Sequence, residues 1–307
     1  MNNFVVLMTG ASGFIGTYLI EYLLSKNYII IGLTRHKHKQ KSHPHLTWVE
    51  NFEELTADQA HSIDYVINLA GESIGQGRWT IARKHQLIQS RVQTTEQLYQ
   101  YLSQHHITPK CIISGSAVGF YGIDLTEQWT EVCTEQSQSQ DIFMSALCQE
   151  WEAVTKQYPE QKTKIIRLGV VFGSNGGILP QMLMPIKFNL VGKIGSGHQP
   201  CVWVHVHDVA RAIEFLMHTE TEAQIFNVVA PEKVNQRDFV AVAGTVLKRK
   251  PFFSLPSFVM KLLLGEQSQL ILNGQYVKPA ALQAAGFEFQ YSTLAQALTQ
   301  LLHTSEN

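Results

Sequence analysis

Five apolar residues, Phe4 to Met8, open the patterned part of the chain, and Gly10, Gly13 and Gly16 follow at intervals of three. An apolar run with no helical period reads as a parallel strand buried on both faces. From Phe14 the pattern changes, and Ile15, Leu19, Tyr22 and Leu23 recur at helical spacing. Strand, glycine turn and helix in this order build an anion site. Gly10 allows the tight turn, Gly13 lets the backbone approach a pyrophosphate, and Gly16 lets the helix sit close to the strand. The helix start supplies free N–H groups and a partial positive charge. Ser12, Phe14 and Ile15 lie in the same loop and are assigned to the cofactor site with the glycines.

The same two periods continue. Tyr28–Thr34, Leu46–Val49, Asp64–Gly71, Lys110–Ser114 and Thr163–Leu168 read as further strands. A helix capped by Thr80 carries the stripe Leu87, Val92, Thr95, Leu98 and Leu102, and another helix spans Asp141–Tyr158. Strands alternating with helices through about residue 170 predict an α/β chain with a Rossmann-like, doubly wound parallel sheet. Ligands of such sheets lie at the carboxyl ends of the strands. Leu69, Ala70 and Gly71 therefore line the cofactor cleft, as do Ser114, Gly115, Leu168 and Gly169. Glu72, just past a strand end, is a candidate acid or base, with a solvated loop glutamate as the alternative. Arg91 sits mid-helix, either turned toward the cofactor or solvated. Ser116 and Tyr121 lie in a glycine-rich loop suited to hydrogen bonding a substrate oxygen.

The end of the second strand decides the cofactor. An Asp or Glu there would hold a ribose 2′-hydroxyl. Thr34 and Arg35 stand there instead, followed by His36, Lys37, His38 and Lys39. A 2′-phosphate finds charge-assisted partners at such a place, so NADP is expected over NAD. The histidines of this connection have lysines between them and no Cys or carboxylate partner, so no metal site is expected.

Composition narrows the class. The chain has 307 residues, 45% hydrophobic and 16% charged, enough for a large α/β domain with an appended lobe. Its formal net charge of -1 provides no global basic field for nucleic acid or an anionic membrane. Cys111, Cys133, Cys148 and Cys201 are far apart with no Cys-x-x-Cys, the pattern of reduced thiols in a cytoplasmic protein. The first apolar run follows no basic region and ends in a glycine loop, so it is a core strand and not a signal peptide. No apolar stretch reaches the ~20 residues of a membrane span.

Beyond residue 170 the pattern loosens. Ile178–Leu190 carries a Met and Phe stripe expected to be mostly core. Cys201–His205 alternates like a strand leading into a helix, with Asp208 read as that helix's N-cap. His205 points inward with Trp203 and is expected to be a hydrogen-bonded core histidine, while Gln199 and Trp203 are pocket candidates. Ile225–Val229 reads as a strand and Asn235–Lys248 as a helix. Pro251–Leu272 reads as an apolar helical stretch broken at Gly265. Phe252, Phe253, Leu262, Leu263, Leu264 and Leu270 are expected to be buried within the monomer, with a partner-facing role, a homodimer included, as the alternative. Residues 1–172, completed by about 204–230, are assigned to the nucleotide-binding domain, and the remaining segments of 173–307 to a small substrate lobe.

Several of these residues carry a resemblance. Thr9-Gly-Ala-Ser-Gly-Phe-Ile-Gly16, Asn68-Leu-Ala-Gly71, Ser114-Gly-Ser116 with Tyr121-Gly122, and Arg167-Leu-Gly169 resemble the extended short-chain dehydrogenase/reductase superfamily. More narrowly, the chain resembles the atypical epimerase family whose members often carry a cell-division-inhibitor label. The marks are Arg78-Trp-Thr80, Ser90-Arg91, Gly195-Ser-Gly197 with Gln199, Trp203-Val-His205, Leu264-Gly-Glu266 and Gly286-Phe287, among others. The resemblance implies a nucleotide-binding Rossmann fold, a small C-terminal substrate lobe and NAD(P)-dependent chemistry on a small molecule. It also exposes a departure. The superfamily sets Tyr-x-x-x-Lys on the helix after the serine loop, and here Phe143 and Leu147 align with that pair. Neither moves a proton. A substitute acid would come from Glu72, Tyr121 or Cys148. A nucleotide-sensing module without catalysis is the competing reading.

Overall fold

The apolar runs become strands because helices cover both faces of the sheet they form. The computed structural model of the chain describes residues 3–303. Strands β1 (Val5–Thr9), β2 (Ile29–Leu33), β3 (Leu46–Val49), β4 (Ile63–Asn68) and β5 (Cys111–Ala117) alternate with helices α1 (Phe14–Ser25), α2 (Ala57–His61) and α3 (Ile81–Gln104). The chain continues through β6 (Val132–Cys133), α4 (Phe143–Thr155), β7 (Thr163–Leu168), β8 (Val170–Gly173), β9 (Gly176–Gly177), α5 (Leu179–Lys187), β10 (Val191–Ile194), β11 (Trp203–His205), α6 (Val206–His218), β12 (Ile225–Val228) and α7 (Gln236–Leu247). It then runs through β13 (Phe253–Leu255), α8 (Ser257–Leu264), α9 (Gln269–Leu272), β14 (Tyr276–Val277), α10 (Ala280–Ala284) and α11 (Leu294–His303).

Seven strands pair in parallel in the order β3-β2-β1-β4-β5-β7-β12. This is the Rossmann-like doubly wound sheet. The order reverses between β1 and β4, so the crevice at their carboxyl ends is where a ligand is expected. Alternation along β1 sends Val6 and Met8 to the α1 and α6 side and Leu7 to the α3 side. Each such fully buried side chain contributes about 1.5–3 kcal/mol of apolar transfer.

A second core lies in the C-terminal part, where Leu179, Leu183 and Ile186 of α5 meet Phe239 of α7 and Leu294 and Leu298 of α11. Trp203 is inside this core, 1% exposed and stacked on Phe172 at 5.7 Å. Gln199, 2% exposed, donates to the carbonyls of Ile194 and Ile271. Both expected pocket residues thus hold the lobe together.

Two further expectations are corrected. The N-cap of α6 is His205, whose Nδ1 accepts from the His207 N–H; Asp208 sits in the first turn and accepts from the N–H groups of Gln290 and Tyr291, anchoring the chain that leads into α11. The aromatic and leucine residues of 252–270 are largely on the surface: Phe252, Phe253, Leu262, Leu263 and Leu270 are all exposed. The segment breaks at Pro256 and Gly265 into β13, α8 and a short turn, and none of these pieces is long enough to lay a continuous stripe on the core.

Candidate functional site

The glycine loop is built by close approach of backbones. Gly10 has φ +66°, and a Cβ there would lie 2.5 Å from the Leu69 carbonyl oxygen. A Cβ on Gly16 would lie 2.3 Å from the Gly10 carbonyl oxygen. Any side chain at either position pushes β1, β4 and α1 apart. Helix α1 has Gly13 as its N-cap, with no side-chain cap and no acidic residue in its first turn. Its first N–H groups are thus left for an anion. The loop fits a pyrophosphate, since it pairs uncapped N–H groups with a cradle that a Cβ would fill. The Phe14 ring seals the loop from the far side, packed against Gly173, Gly176 and Gly177.

At the end of β2, buried Thr34 donates to Ser12 Oγ at 3.1 Å and accepts from the His36 N–H. Arg35 is exposed and has no hydrogen-bond or ion-pair partner among the described residues, whereas Lys37 is taken by Glu54 at 2.9 Å. At the end of β4, Arg91 turns inward. Its guanidinium donates to the Glu72 and Leu87 carbonyls at 2.9 Å each and lies 5.3 Å over the Trp151 ring, against Gly71. Burial pushes Arg91 below its ordinary pKa. The Glu72 carboxylate is ion-paired to Arg83 at the rim.

The end of β5 is arranged in the opposite way. Ser116 is 2% exposed, and its hydroxyl donates to Glu152 Oε1 at 2.6 Å. Arg167 on β7 grips both oxygens of the same carboxylate at 2.8 Å and donates to the Tyr121 hydroxyl at 3.0 Å. Tyr121 in turn donates to Asn227 Oδ1 of β12 at 2.7 Å. The Arg167 guanidinium also lies 3.4 Å over the Phe120 ring. Burial raises the Tyr121 pKa, opposed by Arg167. Below this, Asn68 accepts from Thr9 and donates to Thr95 and Ser114, joining β1, β4, β5 and α3 in one buried network. Leu168 and Gly169 close the floor, with Gly169 against the Val202 carbonyl at the start of β11.

Residues 6–229 match the sequence profile of the NAD dependent epimerase/dehydratase family. The chain belongs to that family. Residues 255–301 match a second profile, a domain of unknown function. An epimerase family protein of Staphylococcus saprophyticus is 34% identical over 97% of this chain and 99% of its own length. Among solved structures, the human epimerase family protein SDR39U1, determined with NADPH, superposes with a TM-score of 0.85 at 29% identity, covering 97% of this chain and 99% of that one. A nucleoside-diphosphate sugar epimerase from Corynebacterium glutamicum gives a TM-score of 0.73 at 25% identity, covering all of this chain and 62% of that one.

Helix α4 packs against the loop that follows β5. Met144 packs against Gly119, Ser145 donates to the Gly119 carbonyl at 3.2 Å, and the Cys148 Sγ lies 3.6 Å from the Ala117 carbonyl. Phe143 instead packs edge-on to Trp79 under Lys84, and Leu147 is buried beside Leu87 and Trp79. Burial, and then Glu152, push the Cys148 thiol up to about 11, so it is no ready nucleophile or acid at neutral pH. Glu152, and its pairing with Arg167, are what sequence reading passed over. A signal was available: an arginine inside the apolar strand Thr163–Leu168 demands a buried carboxylate.

Proposed function

We propose that this epimerase-family chain binds NADP(H) across the β1–β4 crevice and exchanges hydride with a small oxygenated substrate held beneath the C-terminal lobe. The observation that carries the cofactor assignment is Arg35, an unpartnered cation at the end of β2 beside Ser12 and Thr34, where an NAD site would set a carboxylate. The human relative solved with NADPH supports it. The nucleotide is assigned to residues 1–172, completed by about 204–230, and the substrate to the remaining lobe. The four free cysteines suit a reducing, cytoplasmic setting.

When bound, the nicotinamide supplies the hydride donor or acceptor. The chain supplies the rest. Glycine-loop N–H groups hold the pyrophosphate, Arg35 and Ser12 hold the 2′-phosphate, and Arg91 fixes Gly71 and Glu72 at the cleft wall. Ser116 donates its only hydroxyl hydrogen bond to the Glu152 carboxylate, so toward an approaching substrate hydroxyl it can only accept. Glu72, at the rim, is the carboxylate left to serve the reacting oxygen. Tyr121 is occupied with Asn227 and acts as wall.

Titration with NADPH and NADH, followed by nicotinamide fluorescence, tests the assignment. NADPH binds more tightly, and Arg35→Ala removes about tenfold or more of that preference. Equal affinity for both cofactors would overturn it. A second reading, an NADP(H)-binding module without turnover, is favoured by one observation: the Ser116, Tyr121 and Cys148 hydrogens all point to internal acceptors. Screening carbonyl compounds for NADPH consumption separates the two, with Glu72→Gln abolishing turnover if the first holds.

A further inference from the structure

The C-terminal lobe carries a surface that hydride chemistry does not use. Met184 and Phe188 lie one helical turn apart at the end of α5, 57% and 69% exposed. Leu190 follows them. The Leu190 carbonyl accepts from the Phe253 N–H at 3.3 Å, and Asn189 Oδ1 accepts from the Lys250 N–H at 2.8 Å. These bonds set Phe252 and Phe253, 75% and 56% exposed, beside the end of α5, with their ring centroids 4.3 Å apart. Helix α8, which follows directly, has no fully buried side chain, and Phe258, Leu262 and Leu263 on it are exposed. A lone exposed apolar residue needs no explanation, but adjoining ones mark an interaction surface.

The two segments that carry this patch, 179–191 and 248–264, hold charges of one sign. Lys187, Lys248, Arg249 and Lys250 border it, all exposed and none in an ion pair among the described residues. No Asp or Glu occurs from Gln161 to His207 or from Phe239 to Gly265, in a chain whose net charge is -1. The acidic residues that balance the total lie elsewhere.

We propose that this face docks on the surface of an anionic lipid bilayer. Exposed phenylalanines beside unpaired lysine and arginine are what such a surface selects: the rings enter the headgroup region and the cations meet lipid phosphates. A second copy of the chain is a poorer occupant, because two-fold pairing of the patch sets the same cations against each other. No helix of the described residues is long and apolar enough to cross a membrane, so the contact is peripheral. The placement leaves the β1–β4 crevice, on the sheet, free to take its cofactor while the lobe rests on lipid.

Vesicle co-sedimentation of the full chain tests this, comparing phosphatidylcholine alone with vesicles in which roughly a third of the lipid is phosphatidylglycerol. The chain sediments with the anionic vesicles only, and added salt releases it. Combining Lys248→Glu, Arg249→Glu and Lys250→Glu lowers the partition coefficient on the order of 100-fold. Phe252→Ser with Phe253→Ser weakens binding while keeping its salt dependence. All five positions are exposed, and an unchanged melting temperature confirms that the variants fold. The proposal is overturned if the wild-type chain ignores anionic vesicles at low salt, or if neither variant changes its binding. It is overturned equally if sedimentation velocity shows a dimer that the phenylalanine changes dissociate.

Discussion

The ends of β1 and β5 lie two strands apart in one sheet and leave opposite things unbonded. At β1 the backbone N–H groups of the first α1 turn are uncapped and the glycines keep side chains away. At β5 the side-chain protons of Ser116 and Tyr121 are already spent on Glu152 and Asn227. The first arrangement binds an anion through main chain, which no rotamer can withdraw. The second is a closed circuit of charge and hydroxyl, rigid and nearly solvent-free, that stabilises the sheet more than it offers a proton. Under the proposed function, binding and turnover rest on different groups with different commitments.

The closed circuit is the place to break first. Arg167→Met leaves Glu152 as a buried carboxylate without its counter-ion, both groups being 2% exposed. Urea unfolding is expected to show a loss of about 3–5 kcal/mol, and adding Glu152→Met recovers much of it. A variant as stable as the wild type would show that the β5 end is not held by this pair.

A third strand end, that of β11, extends the comparison to pH. His205 is 1% exposed, accepts from His207 N–H through Nδ1 and meets Gln300 through Nε2 at 2.9 Å. Burial lowers its pKa from 6.5 to about 4. Between these values the unfolded chain binds a proton that the folded one refuses. Stability is therefore full above about pH 6.5 and declines as pH falls toward 4, by about 3 kcal/mol at most. Chemical denaturation across this window is the measurement, and His205→Asn, which keeps a capping acceptor, is expected to flatten the slope.

The open end at β1 responds to a single methyl. Gly16→Ala places Cβ 2.3 Å from the Gly10 carbonyl oxygen and costs about 1–3 kcal/mol of stability. Calorimetric titration is expected to show NADPH affinity falling with it, since the loop must open. The smallest effect is expected from Ser116→Ala, about 1 kcal/mol in unfolding with NADPH affinity retained. A large loss of NADPH binding in that variant would erase the contrast between the two strand ends.

How much of this was readable in the chain follows the same division. The glycine loop, the strand-end residues Leu69–Glu72 and the cation at Arg35 were legible because local sequence alone sets a turn, a strand end and a charge. The inward turn of Arg91 was not, since mid-helix position leaves rotation about the helix axis open. On α4 the sequence did not show that Met144 and Cys148 pack on Gly119 and Ala117 while Phe143 packs on Trp79, because these contacts form only when the helix meets the sheet. Phe252 and Phe253 were read first as core, with a partner-facing role as the alternative, because apolar runs are core by default; the basic residues beside them went unread because whole-chain composition averages them with acidic residues far away.

By itself the sequence determined the order of strands and helices of the large sheet, the glycine turn and the cation that stands at the end of β2 in place of a carboxylate, all consequences of spacing, glycine and charge within a few residues. Tertiary structure decided which polar groups remain available. The Ser116 proton is lost to a helix 36 residues later and the Tyr121 proton to a strand 106 residues later. A hydroxyl's proton has one direction, and that direction is chosen by partners brought close only when the sheet closes.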